Sequence, residues 1–235
     1  MDETIEANGH RLNLAVYRAA LIAWGEQNFR SFPWRLTDDP YRVLMAEVML
    51  HRTQAAQVVP VYINFVGQYP NVEALAAAKR EELNQALYSL GLQWRIDLIH
   101  DMAHDLVSRF GSQVPGAKDD LLSLPGVSDY IASAVRCFAF DLPDAIVDTN
   151  TVRVVGRLFG IETKDSSRRN TKFRALITAL VDPQRPRAYN YALLDLAAQV
   201  CTKRFTPQHE RCPVAVQCLT AKLKLEVESG DDGRA

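Results

Sequence analysis

Glu47 is the first side chain in this sequence whose surroundings suggest chemistry. It stands in "VLMAEVML", an apolar run from Val43 to Leu50. A carboxyl in such a run is expected in a low-dielectric pocket, where burial favours the neutral acid and raises its pKa. A neutral acid can protonate or hydrogen-bond a substrate; the alternative is an exposed glutamate on a half-buried helix. Asp148 lies between "AIV" and "TNTVRVV", the place for an N-cap. Backbone N–H groups hold a capping carboxylate in its ionised form. An ionised carboxylate can stabilise positive charge in a transition state or orient water. Cys201, Cys212 and Cys218 follow the spacing C-x10-C-x5-C, while Cys137 in "AVRCFAF" reads as core.

The stretch "LLSLPGVSDYIASAVRCFAF", residues 121–140, must position whatever it carries through a tight turn. Pro125 fits only where its missing N–H does no harm. Gly126 can take a positive φ or let another chain approach closely. Ser128 and Asp129 are both good capping types for the helix that follows. The free N–H groups and positive dipole end of that helix suit an anion such as a phosphate; a plain helical hairpin is the alternative.

The elements that carry these residues read as helices almost throughout, with few alternating strand runs, so the expected class is all-α. In "RLNLAVYRAALIAWGEQ", Leu12, Val16, Ala19, Ala20 and Trp24 form one apolar stripe at helical spacing. Asp39-Pro40 is a helix start, and the helix from there is expected to break near Pro60. Gly91 and Gly111 close the next helical segments, and helices resume from Thr151, Thr171 and Tyr189. Residues 223–235 are polar and read as a disordered tail.

With 235 residues, 48% apolar and 23% charged, the chain has an ordinary globular composition and enough length for a sizeable core. No apolar run reaches the roughly 18 residues of a membrane helix. The acidic start "MDETIEANGH" shows no secretory signal, so a cytoplasmic protein is expected, in which disulfides are rare. A net charge of −1 does not mark a nucleic-acid binder. Its distribution is uneven, however. Arg153, Arg157, Lys164, Arg168, Arg169, Lys172 and Arg174 face only Glu162 and Asp165 within 151–174. That stretch is either a basic surface or a solvated mixed-charge face.

Five blocks in order carry a resemblance. "FPWR" (32–35), "DPYRVLMAEVMLHRTQ" (39–54), "LPGVSDYIASAV" (124–135), "AIVDTNTVRVVGRLFG" (145–160) and "YNYALLDLAAQVC" (189–201) resemble the endonuclease III-type helix-hairpin-helix DNA glycosylases, closest to their mismatch and adenine branch. The resemblance implies two helical lobes. One is a six-helix barrel with the hairpin, over 37–141. The other joins the N-terminal helix, 1–36, to C-terminal helices and an iron–sulfur loop, over 142–222. It makes Asp148 the essential aspartate and Glu47 a base-contacting glutamate. Tyr130 falls where the strand-cleaving branch has a lysine that forms a Schiff base, so hydrolysis without strong strand cleavage is expected. His51, Arg52, Gln93, Pro125, Gly126, Val127, Ser128 and Arg153 are implied DNA contacts, with Arg52 facing the base opposite the extruded one. Ser128 departs from the family's second glycine.

The family's cluster loop has a cysteine where this chain has His209, giving C-x7-H-x2-C-x5-C. The set Cys201, His209, Cys212 and Cys218 is therefore expected to hold a [4Fe–4S] cluster. Zinc is the alternative, and a loop without metal is the third possibility. The partner implied is double-stranded DNA with a mismatched or damaged base, met by a monomer. The leading expectation is removal of thymine or uracil opposite guanine. The runner-up is removal of adenine opposite guanine or 8-oxoguanine, although the adenine branch favours Gln-Gln over His51-Arg52 and extends into a further C-terminal domain. A non-catalytic DNA-binding module is the alternative from another class.

Overall fold

The computed structural model describes residues 3–91, 93–203 and 208–223. The described chain starts with a hairpin, β1 (Thr4–Ala7) and β2 (His10–Asn13), paired antiparallel with Thr4 opposite Asn13. Helices follow: α1 (Leu14–Gln27), α2 (Pro40–Leu50), α3 (Ala55–Gln68), α4 (Val72–Ala76), α5 (Arg80–Leu87), α6 (Ile96–Phe110), α7 (Lys118–Leu122), α8 (Asp129–Phe138), α9 (Thr149–Phe159), α10 (Thr171–Leu180) and α11 (Pro186–Gln199). The class is all-α apart from the hairpin. Among the described residues no helix is long and apolar enough to cross a membrane.

The chain folds as two compact units. One is built from the described residues within 1–30 and 143–235, and the other from 31–142. In the first, α1 packs against α11, and α11 against α9. Tyr17, Leu21, Val155, Phe159, Tyr189 and Leu193 are fully buried at its centre. Gly25 allows α1 and α11 to approach closely. A Cβ there would fall 2.4 Å from Ala192 Cβ and 2.9 Å from Ala192 Cα. Because that neighbour is backbone and cannot swing away, Gly25→Ala should destabilise the protein by about 1–3 kcal/mol through overpacking. Urea denaturation measures this; an unchanged midpoint would mean that the helices separate freely.

The N-terminal hairpin corrects the reading of the first segment. Asn8 and Gly9 have φ of 53° and 69°, the left-handed pair of a tight hairpin turn. Asn8 Nδ2 donates to Phe159 O and Gly160 O, at 3.0 and 3.1 Å. The helix therefore starts only at Leu14, where the Asn13 side chain accepts from Val16 N. Its buried face is Leu14, Tyr17, Leu21, Ile22 and Gly25. Val16, expected on that face, is 56% exposed, and Leu12 is buried as part of β2.

In the second unit α2 lies against α3 and α8, and α4 against α6. Asp39 caps α2, its Oδ1 accepting from Tyr41 N at 2.9 Å, and Pro40 opens it. The helix ends at Leu50 rather than near Pro60. His51–Gln54 turn the chain, with Arg52 at a φ of 65°, and Pro60 lies early inside α3. Its missing N–H removes one helical bond there without ending the helix. Gly91 and Gly111 take positive φ, as expected of helix closers.

Candidate functional site

Asp148 sits at the start of α9, where an extended segment meets the helix. Asn190 holds that segment: its Oδ1 accepts from Ile146 N at 3.3 Å and its Nδ2 donates to Asp144 O at 3.1 Å. Asp148 Oδ1 accepts from Asn150 N and Thr151 N, at 2.8 and 2.7 Å, and Oδ2 accepts from Asn150 Nδ2 at 2.8 Å. Thr151 Oγ1 in turn accepts from Asp148 N at 2.9 Å, closing a capping box. The acid is fixed by three N–H donors yet stays half-exposed. Its neighbours Thr149 and Asn150 line a cleft of about 490 Å³, with Arg153, Lys164, Arg168 and Lys203 also on the wall.

Arg153, expected as a DNA contact, lines this cleft and also makes hydrogen bonds within the unit. Its Nε donates to Cys201 O at 3.0 Å and its Nη2 to Ala197 O at 2.9 Å. Its Nη1 donates to Asn150 Oδ1 at 3.1 Å. The guanidinium thus braces α9 against the end of α11 and orients Asn150 on the Asp148 carboxylate. Lys164 and Lys203 are exposed on the same cleft.

Glu47 and Tyr130 belong to the other unit, on the packed helices α2 and α8. Glu47 is 4% exposed, as its apolar run predicts. Tyr130 is half-buried in the first turn of α8. At the end of α2, the buried Arg95 donates from Nη1 to Val48 O at 2.7 Å. A cation on the last carbonyls complements the helix dipole. Burial, then the charges of Arg95 and Arg52, hold His51 below the ordinary imidazole pKa, so it is neutral at pH 7. Arg52 is exposed and has no hydrogen-bond or ion-pair partner among the described residues. Gln93 opens the turn containing Arg95, and its side chain lies outside the described residues.

Sequence reasoning passed over Trp94 and Asn150. Trp94 is 61% exposed, with the Arg95 guanidinium 4.4 Å from its ring centre. An indole three residues beyond a helix-closing glycine was the available signal. For Asn150 the signal was its position two residues beyond a capping aspartate.

The hairpin turn between α7 and α8 forms as its residue types require. Gly126 has a φ of 78°, and a Cβ there would approach Leu98 Cβ of α6 to 3.3 Å. Ser128 Oγ accepts from Ile131 N at 3.3 Å, so serine supplies the cap. Val127 N donates to Leu124 O at 3.2 Å, which leaves Val127 buried. Gly126 and Ser128 are exposed, and their N–H groups have no partner among the described residues. Lys118 Nζ, 3.0 Å from Asp129 Oδ1 and 3.1 Å from Ser133 Oγ, ties α7 to α8, and Arg109 Nη2 donates to Ser123 Oγ at 2.7 Å. Pro125 is half-buried at the turn.

Cys201 and Cys218 are buried in the core of the first unit, and Cys212 packs against it. Arg157 Nη1 donates to Cys201 Sγ at 3.2 Å, and Cys218 Sγ is 3.4 Å from Arg157 O. Burial pushes the Cys212 thiol up to about 11 and raises Cys218 as well. His209 is half-exposed on a short 3-10 turn. The donor types suit a cluster or zinc, but among the described residues no three such side chains are grouped to hold a metal ion. Cys137 is buried core.

Comparison with known proteins adds a lineage to this geometry. Residues 45–178 match the family model described as HhH-GPD superfamily base excision DNA repair protein. A thymine/uracil-DNA glycosylase of Pyrobaculum aerophilum is 37% identical over 206 residues, covering 85% of this chain and 88% of the relative. The human adenine DNA glycosylase is 34% identical over 225 residues, but this chain spans only 41% of its length. The solved structure of a thermostable thymine-DNA glycosylase superposes with a TM-score of 0.83 at 30% identity, covering 89% of this chain and 97% of that one.

Proposed function

Because the chain belongs to the HhH-GPD superfamily of base excision DNA repair proteins, we propose that it is a monofunctional DNA glycosylase that hydrolyses the N-glycosidic bond of thymine or uracil paired with guanine. The observation that carries this reading is Asp148: a carboxylate held by three N–H donors, half-exposed beside a basic cleft. As the bond from C1′ to the base lengthens, positive charge grows on the deoxyribose, and a fixed anion stabilises it. The base leaves with the electron pair of the broken bond, water adds to C1′, and the proton the water gives up balances the one the departing base takes up. The target base must first leave the stack, at a cost of a few kcal/mol that is smaller at a mispair. In this reading Glu47 hydrogen-bonds the extruded base, and Arg52, with five N–H donors, meets the O6 and N7 edge of the guanine left behind. The open N–H groups of Gly126 and Ser128 take a backbone phosphate. The protein acts as a monomer in the cytoplasm.

Identity of 31–37% to thymine and thymine/uracil glycosylases over 88–92% of their length supports pyrimidine over adenine. Adenine excision, suggested by the human relative, is the second reading. A panel of end-labelled duplexes carrying each mispair separates them. Strand breaks should appear at G·T and G·U, and only after hot alkali, because the Tyr130 hydroxyl forms no Schiff base. Breaks confined to A·G or A·8-oxoguanine would establish adenine excision, and breaks without alkali would overturn the monofunctional assignment.

Trp94 extends the reading. An exposed ring with one face against a fixed guanidinium offers the other face to a base. Trp94→Ala should weaken binding to mispaired duplex by about 1–3 kcal/mol, the worth of one base–aromatic stack, with no change in fold. An equilibrium binding titration decides this, and an unaltered dissociation constant would remove Trp94 from the interface.

Members of the superfamily often hold a [4Fe–4S] cluster. The finer proposal is a cluster on Cys201, His209, Cys212 and Cys218, supported by two thiols within one core and a third packed against it. When bound, the metal would hold the thiols deprotonated, against the burial that raises Cys212 and Cys218; no step of the hydrolysis runs through it. Iron and sulfide analysis with a visible spectrum tests the proposal: iron supports the cluster, zinc the alternative, and neither metal rejects both.

A further inference from the structure

Helix α6 presents two imidazoles one turn apart that take no part in the reading above. His100 Nε2 and His104 Nε2 stand 3.3 Å apart, with ring centres at 4.4 Å and planes inclined by 64°. Two neutral imidazoles at this distance share one proton, one nitrogen donating and the other accepting. A divalent ion can take the place of that proton.

We propose that His100 and His104 form a zinc(II) site on the surface of α6. Zinc–nitrogen bonds are about 2.0–2.1 Å long. Two such bonds reaching nitrogens 3.3 Å apart enclose an angle of about 107°, close to the tetrahedral angle zinc adopts. Right-angled coordination with bonds of that length would need the nitrogens about 2.9 Å apart. The spacing therefore suits a tetrahedral ion, and imidazole suits zinc far better than magnesium or calcium.

A second observation points the same way. His100 Nδ1 is buried without a hydrogen-bond partner among the described residues, and Asp101 Oδ1 lies 3.6 Å from it. Histidines that ligate metals commonly give their other ring N–H to a carboxylate, which fixes the tautomer and raises ligand basicity. Asp101 is itself held by Arg80 Nη2 at 3.3 Å, and Arg80 Nη1 pairs with Asp97. The charged groups around the pair, Asp97, Asp101 and Arg80, sum to one negative charge, which does not repel a dication. His104 is exposed, so water completes the coordination. Bound zinc would staple two successive turns of α6, the helix whose Leu98 backs Gly126 of the hairpin.

Zinc chloride titrated into the full chain, with the imidazole nitrogens followed by NMR, tests the proposal. The chain has five histidines, so the response is residue-resolved and distinct from metal binding at the cysteine loop. The Nε2 signals of His100 and His104 should move together and saturate at one equivalent beyond any zinc the cysteine loop takes up, with no response to magnesium. His104→Gln should abolish the movement of His100, and Asp101→Asn should weaken binding about tenfold, as loss of an outer carboxylate does. Backbone amide spectra of both surface variants check that the fold is kept. Signals that stay in place at several equivalents of zinc, enough to fill the cysteine loop first, or a His100 response that persists unchanged in His104→Gln, would overturn the site.

Discussion

Asp148→Asn is expected to lower base excision by about 10²–10³-fold, the range seen when one electrostatic stabiliser of a transition state is removed. Asparagine is the informative replacement. It is as good an N-cap as aspartate, so its Oδ1 can keep the bonds from Asn150 N and Thr151 N. The capping box with Thr151 also survives, since it uses the backbone N–H of residue 148. The charge is lost while the backbone cap stays; only the bond from Asn150 Nδ2 goes, since the amide NH2 that replaces Oδ2 cannot accept it. Thermal stability should therefore fall by no more than the worth of that one exposed bond, about 1 kcal/mol, affinity for a mispaired duplex should be kept, and single-turnover excision should fall far more. Asp148→Ala would confound the two, since losing the cap alone removes about 1 kcal/mol of stability. Full excision by the asparagine variant would show that no anion is needed at this position.

Asp195→Ala is expected to destabilise the protein more than any other substitution considered. Asp195 is fully buried in α11 and receives both Arg30 N, at 3.1 Å, and the Arg30 guanidinium. Breaking a buried pair from one side removes about 3–5 kcal/mol, because the remaining group is left uncompensated. The Arg30 side chain is 34% exposed and can turn partly to water, which puts the effect at the lower end, about 3 kcal/mol. Against a total of about 5–15 kcal/mol this is a large fraction. Asp195→Asn keeps an acceptor for Arg30 N and should lose less. Urea denaturation of the two variants gives the comparison; an alanine variant as stable as the original would mean the pair contributes nothing.

Where a residue's own chemistry decides the local structure, the sequence was readable. Asp39-Pro40 opens a helix, Gly91 and Gly111 close helices, and Gly126 and Ser128 build the hairpin turn. Glu47 is buried because nothing around it in the chain is polar. The departures arise where a partner distant in sequence decides. Arg153 lines the cleft, but its guanidinium is also held by carbonyls of α11 and its end, 44 and 48 residues away, which its own segment does not show. The first apolar stripe was misread because Leu12 belongs to a strand of only four residues, too short for alternation to show. Asn8-Gly9 was the sign of that hairpin. Pro60 was read as a stop, whereas the turn falls at Arg52, whose left-handed backbone the sequence does not announce.

The central claim is tested most directly by identifying what leaves the DNA. A duplex with one G·T pair is incubated with the protein, and the small molecules released are separated and weighed by mass spectrometry. The account predicts free thymine, with uracil from the matching G·U duplex, and an intact sugar–phosphate strand until alkali is added. Tight binding to these duplexes with no free pyrimidine released would contradict it.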